Sequence, residues 1–118
     1  MNFSLNTIQK NHYCVLQFTG RLDTQASIAL EQNFQSLLQV LPPYTILDLS
    51  QLDYIASAGL RMILLTLKQA KSQNSSVSMC GLQDHVRQVL HISGFLNLMT
   101  VYTNLEETLS QLPLYEGS

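Results

Sequence analysis

TILDLSQLDYIASAGL, residues 45–60, begins as a short apolar run and ends in the first turn of a helical pattern. Residues 45–49 are almost continuously apolar, which is typical of a parallel strand that is buried on both faces. We expect a loop over residues 50–56 and a helix over residues 57–73 to follow. A buried strand that leads into a helix is the repeating unit of an α/β domain.

The upstream part of the chain predicts a hairpin and a first helix. Residues 3–8 and 13–18 are predicted strands, and the polar residues between them predict the hairpin turn. Asp23 or Thr24 can cap the helix that follows, and Pro42-Pro43 is expected to end it. The apolar residues of this helix recur at the helical period and are Leu30, Phe34, Leu37, Leu38 and Leu41.

The downstream part predicts strands at residues 77–80 and 98–102 and a helix at residues 84–91. Gly94 suits the end of that helix, and Asn104 with Glu107 resembles the capping box of a last helix. Leu105, Leu109 and Leu112 would form the inner face of this last helix. The order ββαβαβαβα predicts one α/β domain over residues 1–118, with a core at about 4–112 and a frayed tail at 113–118. Its sheet should be mostly parallel, with an antiparallel first strand.

The low charge of the chain narrows the classes of partner. Asp, Glu, Lys and Arg make up 12% of the residues, and the net charge is −2. The six basic residues are scattered, so they form neither a stripe for nucleic acid nor a cluster for a lipid surface. The chain also has no run of about 18 apolar residues and no signal-peptide pattern, so we expect a cytoplasmic protein that does not insert into a membrane.

The cysteines and histidines do not predict a metal or cofactor site. Cys14 and Cys80 lie in apolar, strand-like runs, which is typical of buried, reduced thiols. The three histidines lack the spacing of metal ligands.

Ser57 lies at the start of the second predicted helix, where an N-cap residue belongs. Its hydroxyl would then accept a hydrogen bond from the N–H of Gly59 or Leu60, while Ala58 and Gly59 leave the first turn open. A phosphate on Ser57 would meet free N–H donors and the positive end of the helix dipole. The simpler alternative is that Ser57 only caps the helix. A nucleophilic serine is disfavoured, because residues 55–59 lack the first glycine of the G-x-S-x-G motif.

The second helix is predicted to bury one face and to expose two apolar side chains on the other. Its core face would consist of Leu60, Ile63, Leu64, Leu67 and Ala70. Met62 and Leu65 would then point to solvent beside Arg61, close to Ser57. Such a pair suggests a surface for a protein partner, and ordinary scatter of apolar surface residues is the alternative.

Three motifs together resemble the STAS domain family, in particular the bacterial anti-sigma factor antagonists. The central one is Leu47-Asp48-Leu49-Ser50 followed by Tyr54-Ile55-Ala56-Ser57-Ala58-Gly59-Leu60. Gly20-Arg21-Leu22-Asp23 is similar to the family's turn after the second strand, and His91-Ile92-Ser93-Gly94-Phe95 to its third-helix ending. The resemblance covers about residues 4–112.

The resemblance implies a regulator and not an enzyme. Family members of this kind bind an anti-sigma factor that is also a serine kinase of the GHKL type, and this releases the sigma factor. The kinase phosphorylates a serine that matches Ser57, the phosphorylated protein lets go, and a metal-dependent serine phosphatase resets it. Asp23 matches an acid near that serine. The partner-binding residues would be Asp23, Ala58, Gly59, Leu60, Arg61, Met62 and Leu65.

One position departs from the family pattern. The family usually has Asp directly before the phosphorylated serine, and this chain has Ala56. Some STAS domains act without phosphorylation, as subunits of transport or signalling complexes. The departure therefore supports a second hypothesis, a STAS interaction subunit that is not phosphorylated.

Overall fold

The structure, a computed structural model, describes residues 2–113. Its elements are β1 (Ser4–Gln9), β2 (Tyr13–Leu22), α1 (Thr24–Leu37), β3 (Tyr44–Ile55), α2 (Ser57–Ser72), β4 (Ser76–Cys80), α3 (Asp84–Ile92), a 3₁₀ turn (Phe95–Asn97), β5 (Thr100–Tyr102) and α4 (Leu105–Ser110). This order confirms the predicted ββαβαβαβα. Except for Pro113, the tail that we expected to be frayed lies outside the described residues.

The five strands form one sheet in the order of the sequence, β1-β2-β3-β4-β5. β1 is antiparallel to β2 and the other pairs are parallel, so the predicted hairpin and mixed sheet are confirmed. Crossovers between neighbouring parallel strands share one hand, which places α1, α2 and α3 on the same face of the sheet.

The sheet separates two apolar cores of unequal size. The larger core joins strand residues such as Leu16, Leu47 and Met79 to residues of α1, α2 and α3, including Phe34, Ile63 and Leu90. The smaller core consists of Val15, Ile46 and Cys80, and Leu105, Leu109 and Leu112 pack against it. Alternate residues of each strand point to opposite faces, so one strand contributes to both cores. The predicted inner face of α4 lies on the smaller core.

Four predicted boundaries differ from the structure. β2 extends to Leu22, past its predicted end at residue 18. β3 extends to Ile55, so the loop expected over residues 50–56 is wrong. The reason is that β3 stays paired with β2 as far as Leu22 and Ile55, despite two register shifts. α1 ends at Leu37, before Pro42. β5 begins at Thr100, because a 3₁₀ turn occupies residues 95–97.

The buried face of α2 is rotated from the predicted one. The buried residues are Gly59, Met62, Ile63, Thr66 and Ala70. Met62 is only 4% exposed, whereas Leu64, expected in the core, is 36% exposed. The helix packs against α1 as well as the sheet, and this second contact turns its buried face. Thr66 tolerates full burial because its Oγ1 donates to the Met62 carbonyl at 3.0 Å. Within the described part of the chain, no helix has the length and apolar character that crossing a membrane requires.

Candidate functional site

The C-terminal ends of β2 and β3 bring two helix starts to one edge of the sheet. Leu22 lies opposite Ile55, and the Ala56 N–H donates to the Leu22 carbonyl at 2.9 Å. The next residues along the two strands, Asp23 and Ala56, are the N-cap residues of α1 and α2. The positive ends of both helix dipoles therefore meet at this edge.

The start of α1 is capped by its own side chain. Asp23 Oδ1 accepts a hydrogen bond from the Ala26 N–H at 2.9 Å, which confirms the predicted cap. Ser27 Oγ also donates to the Asp23 carbonyl oxygen at 2.8 Å. Asp23 is half-buried, and its Oδ1 is already engaged in the hydrogen bond that caps α1.

The start of α2 has no side-chain cap. Its N-cap is Ala56, with extended backbone (φ −92°, ψ 172°), and the first turn holds no acidic residue. The prediction that Ser57 is the N-cap is therefore wrong: Ser57 is the first helical residue and is exposed. The reason is that the first helical hydrogen bond runs from the Leu60 N–H to the Ala56 carbonyl at 3.0 Å, which makes Ala56 the N-cap. The N–H groups of Ala58 and Gly59 belong to the first turn, which has no acceptors within the helix.

Gly59 lets this helix start pack directly on the strand ends. A Cβ at this position would lie 2.8 Å from Ile55 Cγ1 and 2.9 Å from Leu22 Cγ. Gly59 is buried and Leu60 is half-buried, so both support the surface from below.

The surface beside Ser57 is a groove between α1 and α2. A small cavity of about 60 Å³ is lined by Ser27, Ile28 and Glu31 of α1 and by Ala58, Arg61 and Met62 of α2. Glu31 and Arg61 are exposed on opposite sides of this groove, and Ile28 is 67% exposed. We call Ser57, Ala58, Arg61, Ile28 and Glu31 the α1–α2 surface.

Met62 and Leu65 do not form the exposed pair expected from the sequence. Met62 lies in the larger core, and Leu65 is half-buried against it. The exposed apolar side chain here is Ile28, which the sequence did not single out. Ile28 falls outside the helical period of the apolar α1 residues, which marks it as exposed. Its place beside α2 follows only from tertiary packing.

A stack of three side chains lies at the same edge of the sheet. The Arg21 guanidinium carbon is 4.0 Å from the centroid of the Tyr54 ring. Tyr54 in turn stacks on His85, with 5.6 Å between centroids and 9° between planes. No sequence pattern predicts this stack, because it depends on the β2–β3 register that places Arg21 opposite Tyr54.

Both cysteines are buried and free, as predicted. Burial raises the pKa of the Cys80 thiol to about 11, with a hydrogen bond from Thr108 acting in the opposite direction and the Asp48 carboxylate adding to the rise. Burial also raises the pKa of Cys14, against a lowering hydrogen bond with Thr45. Both groups are therefore neutral near pH 7. Within residues 2–113, no three His, Cys, Asp or Glu side chains cluster as a metal site would require.

Comparison with known proteins gives one consistent family. The sequence model of the STAS domain family matches residues 4–108. BtrV of Bordetella bronchiseptica, which is named as an anti-sigma factor antagonist, is 48% identical over 61 residues; this match spans 52% of the chain and 53% of BtrV, about half of each. The anti-sigma F factor antagonist of Paenibacillus polymyxa is 23% identical over 113 residues, covering 95% of the chain and 97% of that protein.

Solved structures share the fold at low sequence identity. An anti-sigma factor antagonist from Mycobacterium paratuberculosis has a TM-score of 0.81 at 20% identity, with 92% of each chain covered. The STAS domain of a SulP transporter from Vibrio cholerae has a TM-score of 0.68 at 22% identity, with 88% of this chain and 82% of that one covered. The fold is therefore common to regulators and to transporter domains.

Proposed function

The chain belongs to the STAS domain family, and on this basis we propose that it is an anti-sigma factor antagonist that switches partners. In this role it binds an anti-sigma factor and so frees the sigma factor, with no catalytic step of its own. The names of its relatives support this class, above all BtrV at 48% identity over about half of the chain. The observation that carries the proposal is the exposed Ser57 on the uncapped start of α2, beside the α1–α2 surface.

The partner in this proposal is an anti-sigma factor that is also a GHKL-type serine kinase. It contacts Ser57, Ala58 and Arg61 on α2 together with Ile28 on α1, and Asp23 lies at the same edge of the sheet. Gly59, Leu60, Met62 and Leu65 contribute by packing, because they are buried or half-buried beneath this surface. Ile28 is the apolar anchor, since it is the large side chain there that is mostly exposed.

Phosphorylation of Ser57 is the switch that we propose. A phosphate adds about −1.5 to −2 charge at neutral pH, which about doubles the net charge of −2. The free N–H groups of Ala58 and Gly59 can donate to it, and Arg61 lies four residues on, on the same side of the helix. A phosphate held in this way occupies Arg61 and covers the edge that the partner needs. The partner then dissociates, and a metal-dependent serine phosphatase restores the binding form.

The test compares two hydroxyls at equivalent helix positions. Thr24 is the first residue of α1, as Ser57 is of α2, and both are exposed. Thr24 follows the carboxylate of Asp23, which repels a phosphate. After incubation with the kinase-type anti-sigma factor and ATP, intact mass should show one phosphate on the wild type and on Thr24→Ala, and none on Ser57→Ala. An unmodified wild type, or equal modification of Ser57→Ala, contradicts the switch.

Partner affinity provides the second readout. Ser57→Asp should weaken binding of the anti-sigma factor by about tenfold or more, since it places a charge in a desolvated contact. Ser57→Ala should bind whether or not ATP is present. Isothermal titration calorimetry measures both affinities. Equal binding by wild type and Ser57→Asp would count against this surface.

A second candidate function is a STAS interaction subunit that is not phosphorylated. Ala56 favours it, because the charge that usually precedes the modified serine is missing. The fold likeness to a transporter STAS domain also supports it. Under this alternative, the chain co-purifies with components of a transport or signalling complex, and Ser57→Asp leaves that complex intact.

A further inference from the structure

A second groove lies at the opposite end of α2 from Ser57. It has a volume of about 620 Å³ and is open to solvent. It is lined by Leu64, Leu67, Lys68, Lys71, Asn74, Ser75, Ser76, Val77 and Leu98, which we call the distal groove. Lys71 is fourteen residues from Ser57 on the same helix, which is about 21 Å along its axis. The distal groove is therefore separate from the α1–α2 surface.

The walls of the distal groove expose apolar side chains to water. Leu98 is 59% exposed and Leu64 is 36% exposed, while Leu67 and Val77 are half-buried. Leu64 and Leu98 are two of the five exposed large apolar residues of the described chain, and both line this one groove. Apolar residues that gather around a concave surface indicate a contact with another molecule, whereas single exposed leucines do not.

The charge of the distal groove has one sign. Of the described residues that line it, Lys68 and Lys71 are the charged ones, and both are exposed. They are two of only three lysines in a chain in which 12% of residues are charged. Among residues 2–113, no acidic side chain lines the groove, so neither lysine has a carboxylate partner from this part of the chain within it. A ligand with negative charge is the complement of this lining.

The shape of the distal groove fits a helix. Leu64, Leu67, Lys68 and Lys71 follow the i, i+3, i+4, i+7 pattern, so they form one stripe along two turns of α2. This stripe is about 10 Å long. A site for a small molecule usually encloses most of its ligand, which an open groove does not do. A helix laid along such a stripe buries one apolar face and keeps the other in water.

We propose that the distal groove binds an amphipathic, acidic helix of a partner protein. Apolar side chains of that helix contact Leu64, Leu67 and Leu98, and its carboxylates lie beside Lys68 and Lys71. The inference does not depend on the proposed antagonist function, since it rests on residues at the other end of α2. It adds a second contact surface, through which the chain can hold one protein while Ser57 controls another.

The test uses a synthetic helical peptide of about 18 residues, long enough to hold a helix. Its leucines follow an i, i+3, i+4, i+7 pattern with flanking glutamates, and a control peptide has lysines in place of the glutamates. Fluorescence anisotropy with the full chain should show saturable binding of the acidic peptide, about tenfold tighter than the control. Amide shifts in a ¹⁵N-labelled protein should concentrate at Leu64, Val77 and Leu98. A peptide that does not saturate, or shifts that lie elsewhere, overturn the proposal.

Variants of the lysines give the matched control. Lys68→Glu combined with Lys71→Glu should weaken binding of the acidic peptide by about tenfold or more. Lys10→Glu changes the third lysine, which is exposed outside the groove, and should leave the affinity unchanged. Leu98→Ser should weaken the binding of both the acidic and the control peptide. If Lys10→Glu weakens binding as much as a change at Lys68, the interaction is general attraction of charge and the proposal fails.

Two further experiments distinguish this partner from two other occupants of the distal groove. A dimer in sedimentation equilibrium that Leu98→Ser dissolves would assign the distal groove to a second copy and overturn the proposal. Removal of residues 114–118 that tightens peptide binding would assign the distal groove to those residues, with the same consequence. Ser57→Asp should leave the peptide affinity unchanged, so the outcome here is independent of the phosphorylation test.

Discussion

Gly59 determines how closely α2 approaches the strands that precede it. Gly59→Ala should lower the free energy of unfolding by about 1–3 kcal/mol, although alanine is the better helix former. The reason is that the new Cβ would meet Ile55 Cγ1 at 2.8 Å and Leu22 Cγ at 2.9 Å, and both neighbours are buried. Urea unfolding measures the change. Ser57→Ala, an exposed change in the same turn, is the control and should stay within about 0.5 kcal/mol of the wild type. A Gly59→Ala protein as stable as the wild type would show that the helix start can move away.

Cys80 links stability to alkaline pH. Burial raises its pKa from 9.0 to about 11, so above pH 9 the unfolded chain loses a proton that the folded protein keeps. The unfolded state then binds fewer protons, and stability falls between about pH 9 and 11 with a slope of up to about 1.4 kcal/mol per unit for this thiol. Urea unfolding at pH 8 to 11 should show a shallower decline for Cys80→Ala than for the wild type. The comparison isolates the Cys80 thiol, because every other titratable group is the same in both proteins. Equal slopes would contradict the assignment.

At the scale of the elements, periodicity predicted where α2 lies but not which face it buries. Leucines at positions 60, 64 and 67 suggested one stripe, while the buried face begins at Gly59 and includes Thr66. Glycine and threonine are not counted as apolar, yet small residues are what a close helix contact needs. The type and order of the elements depend on local pattern, whereas the rotation of a helix depends on neighbours that are distant in the sequence.

The candidate site likewise combines features that local sequence pattern predicts with contacts that it does not predict. The cap at Asp23 and the helix start near Ser57 are local features, and the sequence located both to within one residue. Ile28 beside Arg61, and Arg21 against Tyr54, are contacts between elements that are far apart in sequence. Helix packing decides the first contact. The strand register decides the second, and β2 and β3 shift register twice before their ends. No pattern within one element could have indicated them.

The missing cap of α2 can be restored by one change. Ala56 already has the extended backbone that N-cap residues adopt, so Ala56→Asn should add a side-chain acceptor for the first-turn N–H groups without rearrangement. We expect a gain of about 0.5–2 kcal/mol in the free energy of unfolding, measured by urea. Thr24→Ala, a change beside a cap that is already present, should alter stability little. No gain from Ala56→Asn would show that those N–H groups are satisfied by other means.

The same variant bears on the switch that we propose. A cap at position 56 would take N–H donors that a phosphate on Ser57 would otherwise accept from. Phosphorylation should then stabilise Ala56→Asn less than it stabilises the wild type. The difference in melting temperature before and after phosphorylation, compared between the two proteins, measures this competition.

At the scale of the whole molecule, the two faces of the sheet are covered by unequal amounts of helix. α1, α2 and α3 cover the larger core, whereas the opposite face holds the short α4 over the smaller one. β5 pairs through only three residues and ends the sheet. The surfaces that we assign to partners both lie on α2, the longest helix, so they are carried by the better-anchored face.

This asymmetry predicts that β5 and α4 open together without unfolding the rest. Native-state hydrogen exchange should give their amides a lower opening free energy than those of β3 and α2. Ile63→Val removes a methyl group from the larger core, where Ile63 is fully buried, and should cost about 0.5–1.5 kcal/mol. Because the larger core stays intact when α4 opens, this variant should lower the opening free energy of β3 amides and leave that of α4 amides unchanged. Leu109→Ala loses contacts present only while α4 is docked, so it should lower the opening free energy of both groups. If Ile63→Val lowers the opening free energies of β3 and α4 amides equally, the molecule unfolds as one unit. A partner on α2 would then stabilise α4 as strongly as it stabilises β3.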